Sequence, residues 1–266
     1  MKQPKVKSLF GVDISAKLAH LKTILTDMGS ALLACSGGTD SMLLLDVAHE
    51  VLGERLAVAT VRAPYMFDDE FREAEEQVCK RDLKHYTPIL RWGDGPEALW
   101  QNSPDRCYLC KSYVFAQLQE LRQDIGMAWL MDGTQKDDCP AQRPGFRALR
   151  ELGVRSPLRE SAMTKEDIRN LAQARGLAFW NKPSNSCLLT RLPYDTEVTE
   201  EILWRVGQAE KVVVACGITQ VRARVQGNRV RIETDPCELE TLVAQTATLV
   251  PQLKALGFSH VMLVQL

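Results

Sequence analysis

The feature that most constrains the fold is a repeated change of period between residues 31 and 132, where short apolar runs of strand length alternate with helical stretches. "ALLACSGG" reads as a strand, "SMLLLDVAHEVLG" as a helix with a glycine stop, and "LAVATVRA" as a second strand. "DDEFREAEEQVCKRD" then reads as a helix, "HYTPIL" as a strand, "KSYVFAQLQELRQDIG" as a helix and "AWLMDGT" as a strand. This alternation predicts an α/β class: a doubly wound, mainly parallel sheet covered on both faces, with ligands at the carboxyl ends of its strands.

The pattern changes further on. After "GVRSPL" the helix "TKEDIRNLAQARG" starts at an N-capping Thr164 and stops at Gly176. A polar, proline-containing segment, "NKPSNSCLLTRLPYD", runs from Asn181 to Asp195. Beyond it come a long helix, "TEEILWRVGQAEKVVVACG", and a hairpin, "TQVRARV" with "RVRIET", turning at Gln226, Gly227 and Asn228. A helical run, "CELETLVAQTATLVPQLKALG", and a last strand, "HVMLVQL", complete a small α+β unit. The expected division is a first domain over 1–190 and a smaller C-terminal α+β domain over 191–266 for substrate binding or oligomerisation.

"ACSGGTDSM", residues 34 to 42, sits where the first strand meets its helix. A glycine pair there lets the backbone turn sharply and present several N–H groups beside the positive end of a helix, which makes an anion site. Ser36 and Ser41 add hydroxyl donors, while Asp40 could hold a magnesium ion, a ribose or the loop itself. A bare Gly-Gly is as well explained by a plain strand-to-helix turn. A Walker A loop, G-x-x-x-x-G-K-S/T, is absent.

Charge narrows the partners. Lys and Arg number 33 against 34 Asp and Glu, a formal net charge of -1, so no global field holds the chain on a polyanion, and nucleic acid is not favoured. "MKQPKVKSLFGVDIS" has lysines but no apolar core, and no later run reaches the roughly 18 apolar residues of a membrane span. The expectation is a cytoplasmic protein without a membrane partner. Eight cysteines in such a chain point to free thiols, ligands or catalytic sulfur rather than a disulfide framework. Cys35, Cys79, Cys139, Cys216 and Cys237 stand singly and read as buried small hydrophobes. Cys107 and Cys110 form a Cys-x-x-Cys that zinc, a redox disulfide or an iron–sulfur cluster explains about equally well.

The string Ser36-Gly37-Gly38-Thr39-Asp40-Ser41 resembles the pyrophosphate loop of the PP-loop ATP pyrophosphatases, which cleave ATP between its α and β phosphates to adenylate a substrate. Four further segments, "SPDRCYLCK", "MDGTQKDD", "RPGFRALRELGVRSPL" and "NKPSNSCLLTRLPYD", follow in order, and together they resemble the LarE family of ATP-dependent sulfur transferases. The resemblance runs from about residue 30 to about 235. It implies adenylation of a carboxylate on a pyridinium mononucleotide, a small-molecule nucleotide substrate, and displacement of AMP by sulfur to leave a thiocarboxylate. ATP and Mg2+ are the implied cofactors, with Asp40, Asp132, Gly133 and Lys136 beside the loop around ATP.

The resemblance also assigns arginines and sulfur. Arg143 and Arg191 are expected at the substrate; Arg222 and Arg224, alternating along one strand and so sharing a face, could hold its phosphate, with a solvated sheet face as an equal explanation. By spacing alone, the run Arg143, Arg147, Arg150, Arg155 and Arg159 is more often a solvated helix face than a binding patch. One branch of the family surrenders sulfur from a single cysteine. Another has three, able to ligate a four-iron four-sulfur (4Fe-4S) cluster that leaves one iron for an extra sulfide. Cys107, Cys110 and Cys187 match the second branch, as metal ligands and catalytic residues. The last segment departs from the family's usual string at Asn185-Ser186 and at Asp195, where glycine is usual. A tRNA thiolase of the same superfamily and a zinc-stabilised nucleotide-binding regulator remain alternatives, and a closed homo-oligomer is the expected assembly.

Overall fold

The computed structural model describes residues 14–139 and 144–265. In chain order the elements are α1 (Ile14–Met28), β1 (Ala31–Ala34), α2 (Thr39–Leu52), β2 (Leu56–Ala59), α3 (Asp68–Cys79), β3 (Lys84–Tyr86), α4 (Glu97–Trp100), α5 (Arg106–Asp124) and β4 (Trp129–Asp132). There follow α6 (Gly145–Glu151), α7 (Pro157–Glu160), α8 (Lys165–Ala174), α9 (Glu200–Ala215), β5 (Val221–Gln226), β6 (Arg229–Thr234), α10 (Leu239–Ala244), α11 (Thr246–Ala255) and β7 (His260–Gln265). They form two compact units. The first draws on Met1–Arg62, Asp68–Leu90 and Cys107–Ser184, the second on Ala63–Phe67, Arg91–Arg106 and Asn185–Leu266, within the described residues.

In the first unit four parallel strands lie in the order β3-β2-β1-β4. Because successive side chains of a strand point to opposite faces, four-residue apolar strands can feed two cores at once. Ala31, Leu33, Leu56, Val58 and Met131 face one way, against α1, α2, α7 and α8. Leu32, Ala57, Ala59 and Leu130 face the other, against Val114, Phe115 and Leu118 of α5 and Leu149 of α6. Each fully buried Leu of these strands contributes about 1.5–3 kcal/mol relative to exposure. The α/β class and the doubly wound parallel sheet are therefore as the sequence implied, and β1 at the switch in strand order aims its carboxyl end at the crevice where such sheets bind ligands.

The second unit holds a three-stranded sheet, β5-β6-β7, with β5 antiparallel and β7 parallel to β6. Val221, Ala223 and Val225 are buried, and Arg222 and Arg224 share the opposite face. Gly227, at φ +58°, opens the two-residue turn of the hairpin. Among the described residues no helix is long and apolar enough to cross a membrane.

Several details depart from the sequence reading. The strand expected over "HYTPIL" ends at Tyr86, since Pro88 has no N–H for a ladder; its carbonyl still accepts from Arg62 N at 2.9 Å. The helix expected to start at Lys111 starts at Arg106, which places Cys107 and Cys110 within its first two turns. The C-terminal helical run breaks into α10 and α11. Of the five single cysteines only Cys35 is buried; Cys79, Cys139 and Cys237 are exposed and Cys216 is half-buried. Apolar neighbours in sequence do not fix the phase of a helix end or a turn, and Cys79 closes α3 on its solvent side.

An ionic network ties α2 to the elements around it. Asp46 accepts from Arg81 Nη2 at 2.7 Å and from Arg175 Nε at 2.6 Å, and Arg175 also reaches Glu50 at 3.0 Å. Burial alone would raise the Asp46 carboxyl, but these guanidinium hydrogen bonds outweigh it and hold the group below the usual carboxylate range. A folded-state value below the unfolded one stabilises the fold above the unfolded pKa of about 4, and this is lost as pH falls through the folded value. In urea titrations from about pH 6 down to about pH 3, the stability gap between wild type and Asp46→Asn is expected to narrow.

Candidate functional site

The pyrophosphate-loop segment is built by close backbone packing. Cys35 N donates to Ala59 O at 2.9 Å, which ties the end of β1 to β2, and α2 begins three residues after Ser36. Gly37 takes φ +78°, and a β-carbon there would lie 2.2 Å from Glu70 O. At Gly133, just after β4, a β-carbon would lie 2.8 Å from Ser41 N. These two glycines let the loop and the β4 end approach the backbone of their neighbours, so the "DGT" turn is packed directly on the start of α2.

The hydroxyls mostly serve the loop itself. Ser41 Oγ accepts from Ser36 N at 3.2 Å and donates to Gly38 O at 3.0 Å, with Ser36 Oγ 3.2 Å away. Thr39 Oγ1 donates to Phe179 O at 3.3 Å. Gly38 is the N-cap of α2 and has no side chain to occupy the helix N-terminus. Below the loop lies the buried Cys35 thiol, raised by its burial.

Charges converge on this loop from distant parts of the chain. Lys165 Nζ meets Asp40 at 2.6 Å, and Lys182 Nζ donates to Gly37 O at 3.2 Å and to Glu73 at 2.5 Å. Asp132 is buried and accepts from Thr134 Oγ1 at 2.6 Å and Ser156 Oγ at 2.7 Å, with Lys111 Nζ at 3.8 Å. The sequence singled out Asp40 and Asp132, whereas Lys165, Lys182, Ser156 and Lys111 went unnoticed. Lys136 N donates to Met163 O at 2.9 Å, and the residue lines a cavity of about 710 Å³ with Lys17, His20, Asp137, Thr164 and Asp167.

Cys107 and Cys110, three residues apart near the start of α5, lie on one helix face and are half-buried. Lys111, the next residue, is the one that reaches Asp132, so the Cys-x-x-Cys and the "DGT" turn are linked within the first unit. Cys187 belongs to the second unit. Among the described residues no group of three or more His, Cys, Asp or Glu is gathered to hold a metal ion.

In the second unit Cys187 is the N-cap of a 3-10 turn, Leu188–Arg191. Arg191 is 1% exposed and wholly engaged: Nε bonds Glu210 at 2.5 Å, and Nη1 bonds Ser186 Oγ at 2.8 Å and Thr190 Oγ1 at 2.9 Å. Arg224 donates to Glu233 at 2.9 Å and to Thr190 O at 2.5 Å. Arg222 makes no hydrogen bond or ion pair among the described residues. Burial first, then the charges of Arg191 and Arg224, lower its pKa below the usual guanidinium value. The carboxylates of Glu233 and Glu210 act the other way but do not outweigh these, and an anionic ligand would be favoured beside such a cation.

The other arginines are placed differently. Arg143 lies outside the described residues. Arg147 stacks on Tyr108 at 3.5 Å, Arg155 holds Glu160 at 2.9 and 3.1 Å, and Arg159 donates to Asp138 O at 2.8 Å.

No protein-family model matches the chain. It is 32% identical over 251 residues to the pyridinium-3,5-bisthiocarboxylic acid mononucleotide synthase of Lactiplantibacillus plantarum, covering 94% of this chain and 91% of that protein. It is 35% identical over 253 residues to an uncharacterised protein of Synechocystis sp., covering 94% of both. It is also 24% identical over 179 residues to one of the subunits of the glutamine-hydrolysing GMP synthase of Pyrococcus furiosus, covering 62% of this chain and 55% of that one.

Proposed function

This chain belongs to the LarE family, within the PP-loop ATP pyrophosphatase superfamily, and from that premise we propose that it is an ATP-dependent sulfur transferase acting on a pyridinium mononucleotide. The observation that carries the reading is the 32% identity to the L. plantarum synthase across 94% of the chain.

In this reading a substrate carboxylate oxygen attacks the α phosphorus of ATP, the bond between the α and β phosphates breaks, and pyrophosphate leaves. The N–H groups at the start of α2, opened by Gly37 and Gly38, receive the departing anion. Lys165 and Lys182 lie where they can share its charge. Mg2+ supplies further charge neutralisation when bound, and Asp40 and Asp132 are the carboxylates that would hold it. A sulfur nucleophile then attacks the acyl carbon, the C–O bond to AMP breaks, and a thiocarboxylate remains. Arg222, which makes no ion pair among the described residues, is proposed to take the substrate phosphate, with Arg224 and Arg191 setting the face around it.

Cys107, Cys110 and Cys187 are the proposed sulfur residues. Their number suits a 4Fe-4S cluster with one open iron, but no three-ligand group is gathered among the described residues. Iron and acid-labile sulfide in anaerobically purified protein, wild type beside Cys107→Ala, decide the matter: about four irons per chain, lost in the variant, support a cluster. A cytoplasmic location and a closed homo-oligomer are part of the same proposal.

The test of the activity is pyrophosphate release dependent on the pyridinium substrate. Asp40→Ala and Ser41→Ala are each expected to lower it at least about tenfold, through loss of charge placement and loop shape respectively. Release at the wild-type rate in both variants would sink the loop assignment. A tRNA acceptor would instead show as salt-dependent retention on filters, and none is expected.

A further inference from the structure

Buried side-chain polar atoms that lack a hydrogen-bond partner are unevenly spread over the described residues: Asn102 Oδ1, Ser103 Oγ, Arg106 Nε and Arg106 Nη1 all fall within one five-residue stretch of the second unit. Arg106 is only 7% exposed. No carboxylate pairs with this buried guanidinium among the described residues. Arg191 of the same unit shows the structural alternative, with each of its three nitrogens bonded to Glu210, Ser186 or Thr190. Arg106 has the face of Tyr194 instead, 4.5 Å from the ring centroid.

Tyr194 is 58% exposed, so it covers the guanidinium from outside and is no part of a core. The frame beneath it is firmly built. Asn102 Nδ2 donates to Pro193 O at 2.7 Å and Leu192 O at 3.3 Å, which turns its Oδ1 inward, and Asp195 N donates back to Asn102 O at 3.1 Å. A buried cation and a hydroxyl that can donate, with an amide oxygen that can accept, all without partners in one five-residue stretch, are the polar groups a hydroxylated anion would answer.

We propose that Arg106 anchors an anion site that opens when Tyr194 turns aside. Arg106 and the Ser103 hydroxyl take a carboxylate or phosphate oxygen of the small-molecule substrate, and Asn102 Oδ1 accepts from a hydroxyl of the same molecule. Naming that substrate rests on the sulfur-transferase reading; the site itself rests on the geometry.

Thermal unfolding of the full chain tests it, with inorganic phosphate and pyridine-3,5-dicarboxylate as separate probes. Without a probe, Arg106→Met is expected to melt above wild type, because it removes a buried unpaired charge. Millimolar probe is expected to raise the wild-type melting temperature, with a shift at least about twofold smaller in the variant. The probe that gives the difference tells phosphate from carboxylate. A variant that melts below wild type and keeps the whole shift overturns the proposal. A second measurement covers a variant that fails to fold: phenylglyoxal labelling of Arg106, read by peptide mass spectrometry. Labelling is expected to be faster in Tyr194→Ala and slowed by the probe; labelling unchanged by both probes overturns the proposal. Absence of substrate-dependent pyrophosphate release beside an intact Arg106-dependent shift would count against the sulfur-transferase reading alone.

Discussion

Replacing Gly37 with alanine is expected to slow pyrophosphate release at least about a hundredfold, the scale of a 1 Å misplacement in a site that works by positioning. The added β-carbon would meet Glu70 O at 2.2 Å, Glu70 C at 2.9 Å and Glu70 Cα at 3.2 Å. All three are backbone atoms, so no rotamer change relieves the clash, and φ +78° adds strain of its own. Either the loop lifts off α3 or α3 moves, and both outcomes redirect the N–H groups at the start of α2. Gly227→Ala is the control, since that glycine also has positive φ but nothing within 4 Å of its β-carbon position. It is expected to lose about 1 kcal/mol of stability and none of the activity. Single-turnover pyrophosphate release, run beside urea unfolding of each variant, separates the two effects. Near-wild-type release in Gly37→Ala would mean that the loop tolerates rearrangement and does not work by fixed geometry.

Arg191→Met is expected to be the most destabilising single change in the second unit, by about 3–5 kcal/mol, the usual result of removing one partner of a buried ion pair. The side chains of Arg191 and Glu210 are 0% and 7% exposed. Without the guanidinium Glu210 keeps its hydrogen bond from Ala223 N at 2.9 Å but retains an uncompensated charge. Glu210→Gln in the same chain should restore part of the loss, which a double-mutant cycle in urea measures. Arg191 also holds Ser186 and Thr190, which flank Cys187, so alkylation of Cys187 should quicken in the variant. A loss below about 1 kcal/mol would place this pair with ordinary surface bridges.

What the sequence disclosed depended on how local its cause was. The Ser-Gly-Gly-Thr-Asp-Ser string was legible because positive φ and exposed N–H groups are demands of a few adjacent residues. The capping box at Thr164 and Asp167 was half legible for the same reason, since Thr164 declares itself as an N-cap. Lys165 and Lys182 were not, because they meet Asp40 and Gly37 across 125 and 145 residues of chain. The start of α5 was missed although Asp105, a common N-cap residue, stands just before Arg106, because "RCYLC" carries no clear apolar period to extend the helix back to it, and the helix face of Cys107 and Cys110 followed from that start. Arg191 and Arg106 look alike in sequence, each a single arginine near a cysteine. Both are buried, and only their partners distinguish a saturated guanidinium from one without hydrogen bonds at Nε and Nη1.

The two units are interleaved in the chain, and this bears on synthesis. The second unit needs Ala63–Phe67 and Arg91–Arg106 as well as everything from Asn185 onward, while the first is not complete before Ser184. A ribosome that has made the first hundred residues has therefore exported parts of both and the whole of neither. Those two early segments must wait, unfolded or loosely held, for partners made much later, and closing such long loops is slow. No single cut separates the units either: a chain ending at Ser184 keeps the whole first unit but strands Ala63–Phe67 and Arg91–Arg106, and the remainder from Asn185 lacks both segments.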